Sequence, residues 1–192
     1  MTDLVLNRKG NFTEPFVRWT LYQVALGIQA MHAKNVLHRD LKSDNILVRP
    51  NGEVKIADMG FSVFLSDMKQ YRDSQKGTPS WVSPEIAQGH KYSKEVDVWA
   101  FGCFAFELLA TDPPFHSYFN QGMDALLDAI IEQPVPRVPE KWSDLMNDFV
   151  QKTLIKNQNE RWSIDQLLGH PLFENIEECR QGWIDDFANG AR

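Results

Sequence analysis

Apolar residues recur at three- and four-residue steps along residues 14–33, where Val17, Leu21, Val24, Ile28 and Met31 share one face. Thr13 ahead of Glu14-Pro15 supplies a capping hydroxyl and a proline for the first turn, so the pattern predicts an amphipathic helix ending near Ala33. The pattern then shortens. Ile46-Leu47-Val48 and Val54-Lys55-Ile56 flank Pro50-Asn51-Gly52, whose Asn-Gly pair is a strong hairpin signal. Pairing Val48 with Val54 and Ile46 with Ile56 sets Asn45 opposite Ala57 and beside Asp58, because antiparallel partners keep a constant index sum. From Asp58 to Glu85 the chain is polar, punctuated by Gly60, Gly77, Pro79 and Pro84, and reads as a long functional loop. Helical patterns resume at Ser93–Ala110, which Pro113-Pro114 terminates, and at Met123–Glu132, Ser143–Leu154 and Ser163–Leu168. The expected class is mainly α with a small β-hairpin.

Composition narrows the setting. At 192 residues and 43% hydrophobic, the chain is long enough for one sizeable core. A net charge of −6 and a pI near 5.3 oppose a broad grip on nucleic acid or anionic membrane, and neither is expected as a partner. Cys103 and Cys179 are too few for a disulfide framework and lack paired zinc spacing, which suits a reducing, cytoplasmic location. The longest apolar run, Val98–Ala110, is broken by Glu107 and has the length of a buried core helix. Cys103, Phe104 and Phe106 are assigned to the core with Trp19, Trp142 and Trp162. His32, His90, His116 and His170 have no metal-site spacing, and Glu177, Glu178, Asp185 and Asp186 read as a solvated helix face.

His38-Arg39-Asp40-Leu41-Lys42-Ser43-Asp44-Asn45 resembles the H-R-D-L-K-x-x-N catalytic loop of protein kinases. The resemblance continues in family order: Asp58-Met59-Gly60 for D-F-G, Gly77-Thr78-Pro79, Ser83-Pro84-Glu85 for A-P-E, and Asp97-Val98-Trp99-Ala100-Phe101-Gly102 at the start of the central helix. It covers about Thr2 to Phe173 and implies a kinase C-terminal lobe over 1–173, followed by an acidic C-terminal extension over 174–192. The wording H-R-D-L-K-S-D-N-I-L with G-T-P-x-W-x-x-P-E is similar to sterile-group serine/threonine kinases, including those activated by Rho-family GTPases.

The resemblance implies ATP-dependent phosphoryl transfer to serine and threonine hydroxyls of protein substrates, with ATP and Mg2+ as cofactors. Asp40 would orient the acceptor hydroxyl, Lys42 would sit beside the γ-phosphate, and Lys42 with Thr78 would mark serine/threonine specificity. Asn45 and Asp58 would supply hard oxygen ligands to magnesium, and Leu47 would pack under the adenine. Glu85 and Arg161 would form a buried structural pair, and Asp97 would fasten the catalytic-loop backbone. Ser74 stands at the spacing of an activating phosphosite for an upstream kinase, with Arg39 as the cationic receiver. Asp44 would favour a basic residue upstream of the phosphorylated one.

Departures from the pattern are also visible. Met59 replaces the usual phenylalanine and is expected to fill the space beneath the loop, while Ser83 and Ser80 are milder changes. No Gly-rich phosphate loop or V-A-I-K lysine precedes the match, so the N-terminal β-rich lobe is read as absent from this chain. Weak ATP binding and an exposed apolar surface around Leu47 and Met59 follow. Two readings stay open: a kinase represented by its catalytic lobe, weakly active or inactive alone, and a non-catalytic interaction or scaffold module.

Overall fold

The computed structural model describes residues 1–9, 11–66 and 78–190. Helix α1 (Thr2–Arg8) leads into α2 (Glu14–Ala33), where Thr13 Oγ accepts from Phe16 N at 3.4 Å, as the capping pattern predicts. The apolar face of α2 buries Phe16, Val17, Leu21, Val24 and Ile28. It packs over α4 (Glu95–Ala110), in which every residue from Val96 to Leu109 is buried. A helix apolar all round belongs at the centre of a core, and α4 has that place. Its Gly102 allows close packing on α6 (Asp144–Thr153): a Cβ there would lie 2.2 Å from Thr153 Oγ1.

Strands β2 (Ile46–Val48) and β3 (Val54–Ile56) pair antiparallel with Ile46 opposite Ile56 and Val48 opposite Val54. Pairing continues one step outward, where Ala57 N donates to Asn45 O at 2.8 Å. At the closed end Gly52 adopts φ 85°, a left-handed conformation that glycine takes without strain. Its carbonyl accepts from Trp19 Nε1 at 2.7 Å, which ties the turn to α2.

A second two-stranded sheet, β1 (Val36–Leu37) with β4 (Val63–Phe64), lacks a periodicity signal because each strand has two residues. The loop expected over 58–85 also contains α3 (Pro84–Ala87). Helix α4 begins at Glu95, not Ser93: Ser93 accepts from Val96 N through its backbone carbonyl, and no side chain caps the helix. Helices α5 (Met123–Glu132), α6 and α7 (Ile164–Leu168) match their sequence patterns, with Ser143 and Ser163 as caps.

The acidic tail departs furthest from expectation. Residues 179–190 form α8, which lies along α2 and buries Cys179, Trp183 and Asp186. Glu177, Glu178 and Asp185 are exposed, but Asp186 is only 7% exposed and pairs with Arg8 at 2.5 Å. Trp162 is partly buried rather than fully in the core. Among the described residues no helix is long and apolar enough to cross a membrane.

Candidate active site

The segment 38–45 turns sharply between β1 and β2, and its backbone is held from α4. Asp97 is 1% exposed and accepts from His38 N at 2.9 Å and Arg39 N at 2.8 Å, with His32 Nε2 a further 2.9 Å away. These bonds hold Arg39 at φ 68°, a left-handed conformation costly for a residue with a long side chain. His38 is buried, its Nε2 3.0 Å from the Ala57 carbonyl.

Three polar side chains of the turn, Asp40, Lys42 and Asn45, converge with Thr78. Asp40 is 6% exposed; its Oδ1 accepts from Thr78 Oγ1 at 2.9 Å and its Oδ2 lies 3.0 Å from Lys42 Nζ. Lys42 also donates to Thr78 Oγ1 at 2.7 Å, closing a triangle. Asn45 directs its amide NH2 at the Asp40 carbonyl (2.7 Å) and at Asp40 Oδ2 (3.1 Å), which turns Oδ1 to the other side of the amide. Burial pushes the Asp40 carboxyl up, but hydrogen bonds from Lys42, Thr78 and Asn45 and the Lys42 charge outweigh it. The net position is below the usual carboxylate value.

Asp58 follows Ala57, the register partner of Asn45, at φ 59°, and its Oδ1 accepts from Gly60 N at 3.1 Å. Its carboxylate is exposed at the open end of the hairpin. Among the described residues no group of three or more His, Cys, Asp or Glu could hold a metal ion. Oxygen from Asn45 and Asp58 suits magnesium, which keeps several waters and substrate phosphates in its shell and needs few protein ligands.

Away from this centre, Arg161 donates to both oxygens of Glu85, at 2.7 and 3.0 Å, and to the carbonyls of Ile155, Glu95 and Lys156. Both partners are under 5% exposed, and the guanidinium lies 5.1 Å from the Trp99 ring centroid.

The family model for the protein kinase domain matches residues 2–173, most of the chain. The chain belongs to this family. It is 38% identical over 91% of its length to the serine/threonine-protein kinase pakH of Dictyostelium discoideum, covering 34% of that protein. It is 33% identical over 89% of its length to mitogen-activated protein kinase kinase kinase 3 of Arabidopsis thaliana, covering 28%. With serine/threonine-protein kinase CLA4 of Candida albicans the figures are 31%, 98% and 19%. The kinase domain is thus of the serine/threonine, sterile type, and the chain spans about a third or less of these curated relatives.

Within this kinase domain the remaining expected residues are less gathered. Leu47 is 57% exposed, and Met59 is 52% exposed rather than filling space beneath the loop, its sulfur 3.2 Å from Ser62 Oγ. Ser74 lies outside the described residues. Arg39 donates from Nε to the Phe61 carbonyl at 2.8 Å and from Nη1 to Tyr92 OH at 3.3 Å.

Sequence reasoning did not connect Glu107 with the site. Its Oε1 accepts from Ser43 Oγ at 2.7 Å, directly beneath the 38–45 segment, and Oε2 is buried with no hydrogen-bond partner among the described residues. Burial, the largest cause, lifts its pKa from 4.5 to about 7 against the Ser43 hydrogen bond, with Asp44 adding like charge. The available signal was Glu107 itself, a lone carboxylate in the apolar run. Tyr92 had no comparable signal.

Proposed function

We propose that this chain carries the phosphoryl-transfer machinery of a serine/threonine protein kinase. The observation that carries the reading is the Asp40–Lys42–Thr78–Asn45 cluster, four polar side chains interlocked within 3.1 Å. Phosphoryl transfer asks a protein for positioning and charge more than for covalent chemistry. Asp40, kept ionised by its neighbours, accepts a hydrogen bond from the substrate hydroxyl and aims its oxygen along the line of attack. A depressed pKa makes Asp40 a weak base, so its work is orientation, with the proton moving late.

Lys42 places an ammonium beside the transferred phosphoryl group, and Thr78 fixes Lys42 and Asp40 relative to each other. Asn45 Oδ1 and the Asp58 carboxylate are the oxygens offered to magnesium, which when bound neutralises charge on the ATP phosphates. Leu47 supplies an apolar surface for the adenine. Ser74 is assigned as a phosphoacceptor, with Arg39 as receiver once Phe61 and Tyr92 yield it. The exposed carboxylate of Asp44 gives this side of the site an acidic character, which suits a basic residue upstream of the acceptor serine or threonine.

The test is magnesium-dependent transfer from ATP to a basic serine/threonine protein substrate by the longest natural form of the protein. Asp40→Asn is expected to lower kcat by about 10²- to 10⁴-fold. Equal rates for wild type and Asp40→Asn, or no transfer by either, would overturn the catalytic reading. The second outcome would favour an interaction module that docks through exposed apolar side chains such as Leu47 and Met59.

A further inference from the structure

The family match ends at residue 173, yet the chain beyond it is built into the lobe. Trp183 of α8 is fully buried, stacks on Phe16 at 5.1 Å, and donates from Nε1 to Thr20 Oγ1 at 2.9 Å. Gly182 permits this approach, since a Cβ there would lie 2.9 Å from Pro15. One turn on, Asp186 accepts from Thr13 N at 2.8 Å and Thr13 Oγ1 at 2.9 Å, and its other oxygen pairs with Arg8 at 2.5 Å. A single tail carboxylate thereby joins the cap of α2 to the last residue of α1.

Helix α1 is the link to the centre. Its first residue, Thr2, has Oγ1 2.6 Å from Asp44 Oδ1 and 2.9 Å from Ser43 Oγ, the two residues preceding Asn45. Its last residue, Arg8, is the one Asp186 holds. Seven helical residues span about 10 Å, so two turns of α1 reach from the Arg8–Asp186 pair to the Thr2 contacts. Buried Val5 seats its middle. A second line runs through the hairpin: Arg180 Nη2 donates to Asn51 O at 3.4 Å at the closed end, opposite the end that carries Asn45 and Asp58.

We propose that α8 braces the catalytic loop through α1, with Asp186 as the positioning residue: it fixes Arg8, and α1 carries that constraint to Ser43 and Asp44 through Thr2. The term catalytic loop rests on the function proposed above, but the mechanical coupling does not. Loss of the Asp186 charge leaves Arg8, whose side chain is 13% exposed, without its counter-charge, and Arg8 is then drawn toward water. The N-terminal end of α1 moves with it, and the Thr2 contacts loosen.

Amide hydrogen exchange of the folded 192-residue chain reads this coupling without requiring activity. Asp186→Asn is expected to accelerate exchange several-fold in residues 42–46 as well as in α1 and α8, with the core of α4 unchanged. Leu126→Ala in α5, a core truncation, lowers stability without touching the brace and should leave the 42–46 pattern as in wild type at the same fraction folded. Thr2→Val cuts the other end of α1, and should loosen 42–46 while leaving α8 protected, even if Asp186→Asn detaches the tail altogether. The proposal is overturned if Asp186→Asn or Thr2→Val leaves 42–46 unchanged, or if Leu126→Ala loosens 42–46 equally. A failed phosphoryl-transfer assay alters none of these readings, so the two ideas fail separately.

Discussion

Glu107→Gln removes a charge from beneath the 38–45 segment while keeping the acceptor for Ser43 in place. The wild-type carboxyl is 6% exposed, has one bonded oxygen and one buried oxygen without a partner among the described residues, and burial pushes its pKa up from 4.5 to about 7. The folded state therefore binds its proton more tightly than the unfolded chain does, and stability falls as pH rises from 4.5 toward about 7 before levelling off. Each pH unit in that interval costs about 1.4 kcal/mol, so the full penalty of charging Glu107 is about 3 kcal/mol. Glutamine does not ionise and escapes it. Urea unfolding followed by tryptophan fluorescence from pH 5 to pH 8 measures both proteins, and other carboxylates largely cancel in the difference. The stability of Glu107→Gln relative to wild type is expected to improve by about 2 to 3 kcal/mol across that range. A difference that stays constant with pH would refute the reasoning, because it would mean that Glu107 has the same charge at both ends.

Three further perturbations test neighbouring parts of the argument. Lys42→Met leaves Asp40 with its burial but without its main stabilising partner, so the Asp40 pKa rises and the acid limb of the kcat/KM profile moves to higher pH; an unmoved limb would dissociate Lys42 from Asp40 ionisation. Gly102→Ala drives a methyl into Thr153 and Leu154 and should destabilise the chain by about 1 to 3 kcal/mol in denaturant melts, with Thr153→Ser giving little relief because the serine keeps the clashing oxygen. Arg161→Met strands the Glu85 carboxylate and should cost about 3 to 5 kcal/mol, whereas Arg161→Met combined with Glu85→Leu recovers much of the loss; a double variant as unstable as the single one would refute the pairing argument.

The hairpin register was legible because two independent signals agree on it. Asn51-Gly52 sets the turn, and Ile46, Val48, Val54 and Ile56 fix the pairing, so the positions of Asn45 and Asp58 follow by counting. The long helices were legible for a similar reason: α2 has a face and a cap, and α4 has a long apolar run, interrupted by Glu107, between punctuating residues. What counting could not supply was the direction of side chains. The Arg39 side chain reaches Phe61 and Tyr92, and Met59 points outward, because contacts between segments far apart in sequence decide these orientations.

The tail shows the limit most clearly. Residues 174–186 contain Glu174, Glu177, Glu178, Asp185 and Asp186, a composition that by itself describes a solvated face. Ile176, Cys179, Trp183 and Asp186 turn inward, at steps of three, four and three residues, and a stripe that ends on an aspartate escapes a search for apolar periodicity. Its partners, Arg8 and Thr13, lie more than 170 residues earlier. Burial of Asp186 is stable because those partners supply a charge and two hydrogen bonds, which together replace the water the carboxylate gives up. The acidic composition and the buried position are therefore compatible: polarity along the sequence reports what a residue needs around it, and the fold meets that need for Asp186 with α1 and the cap of α2.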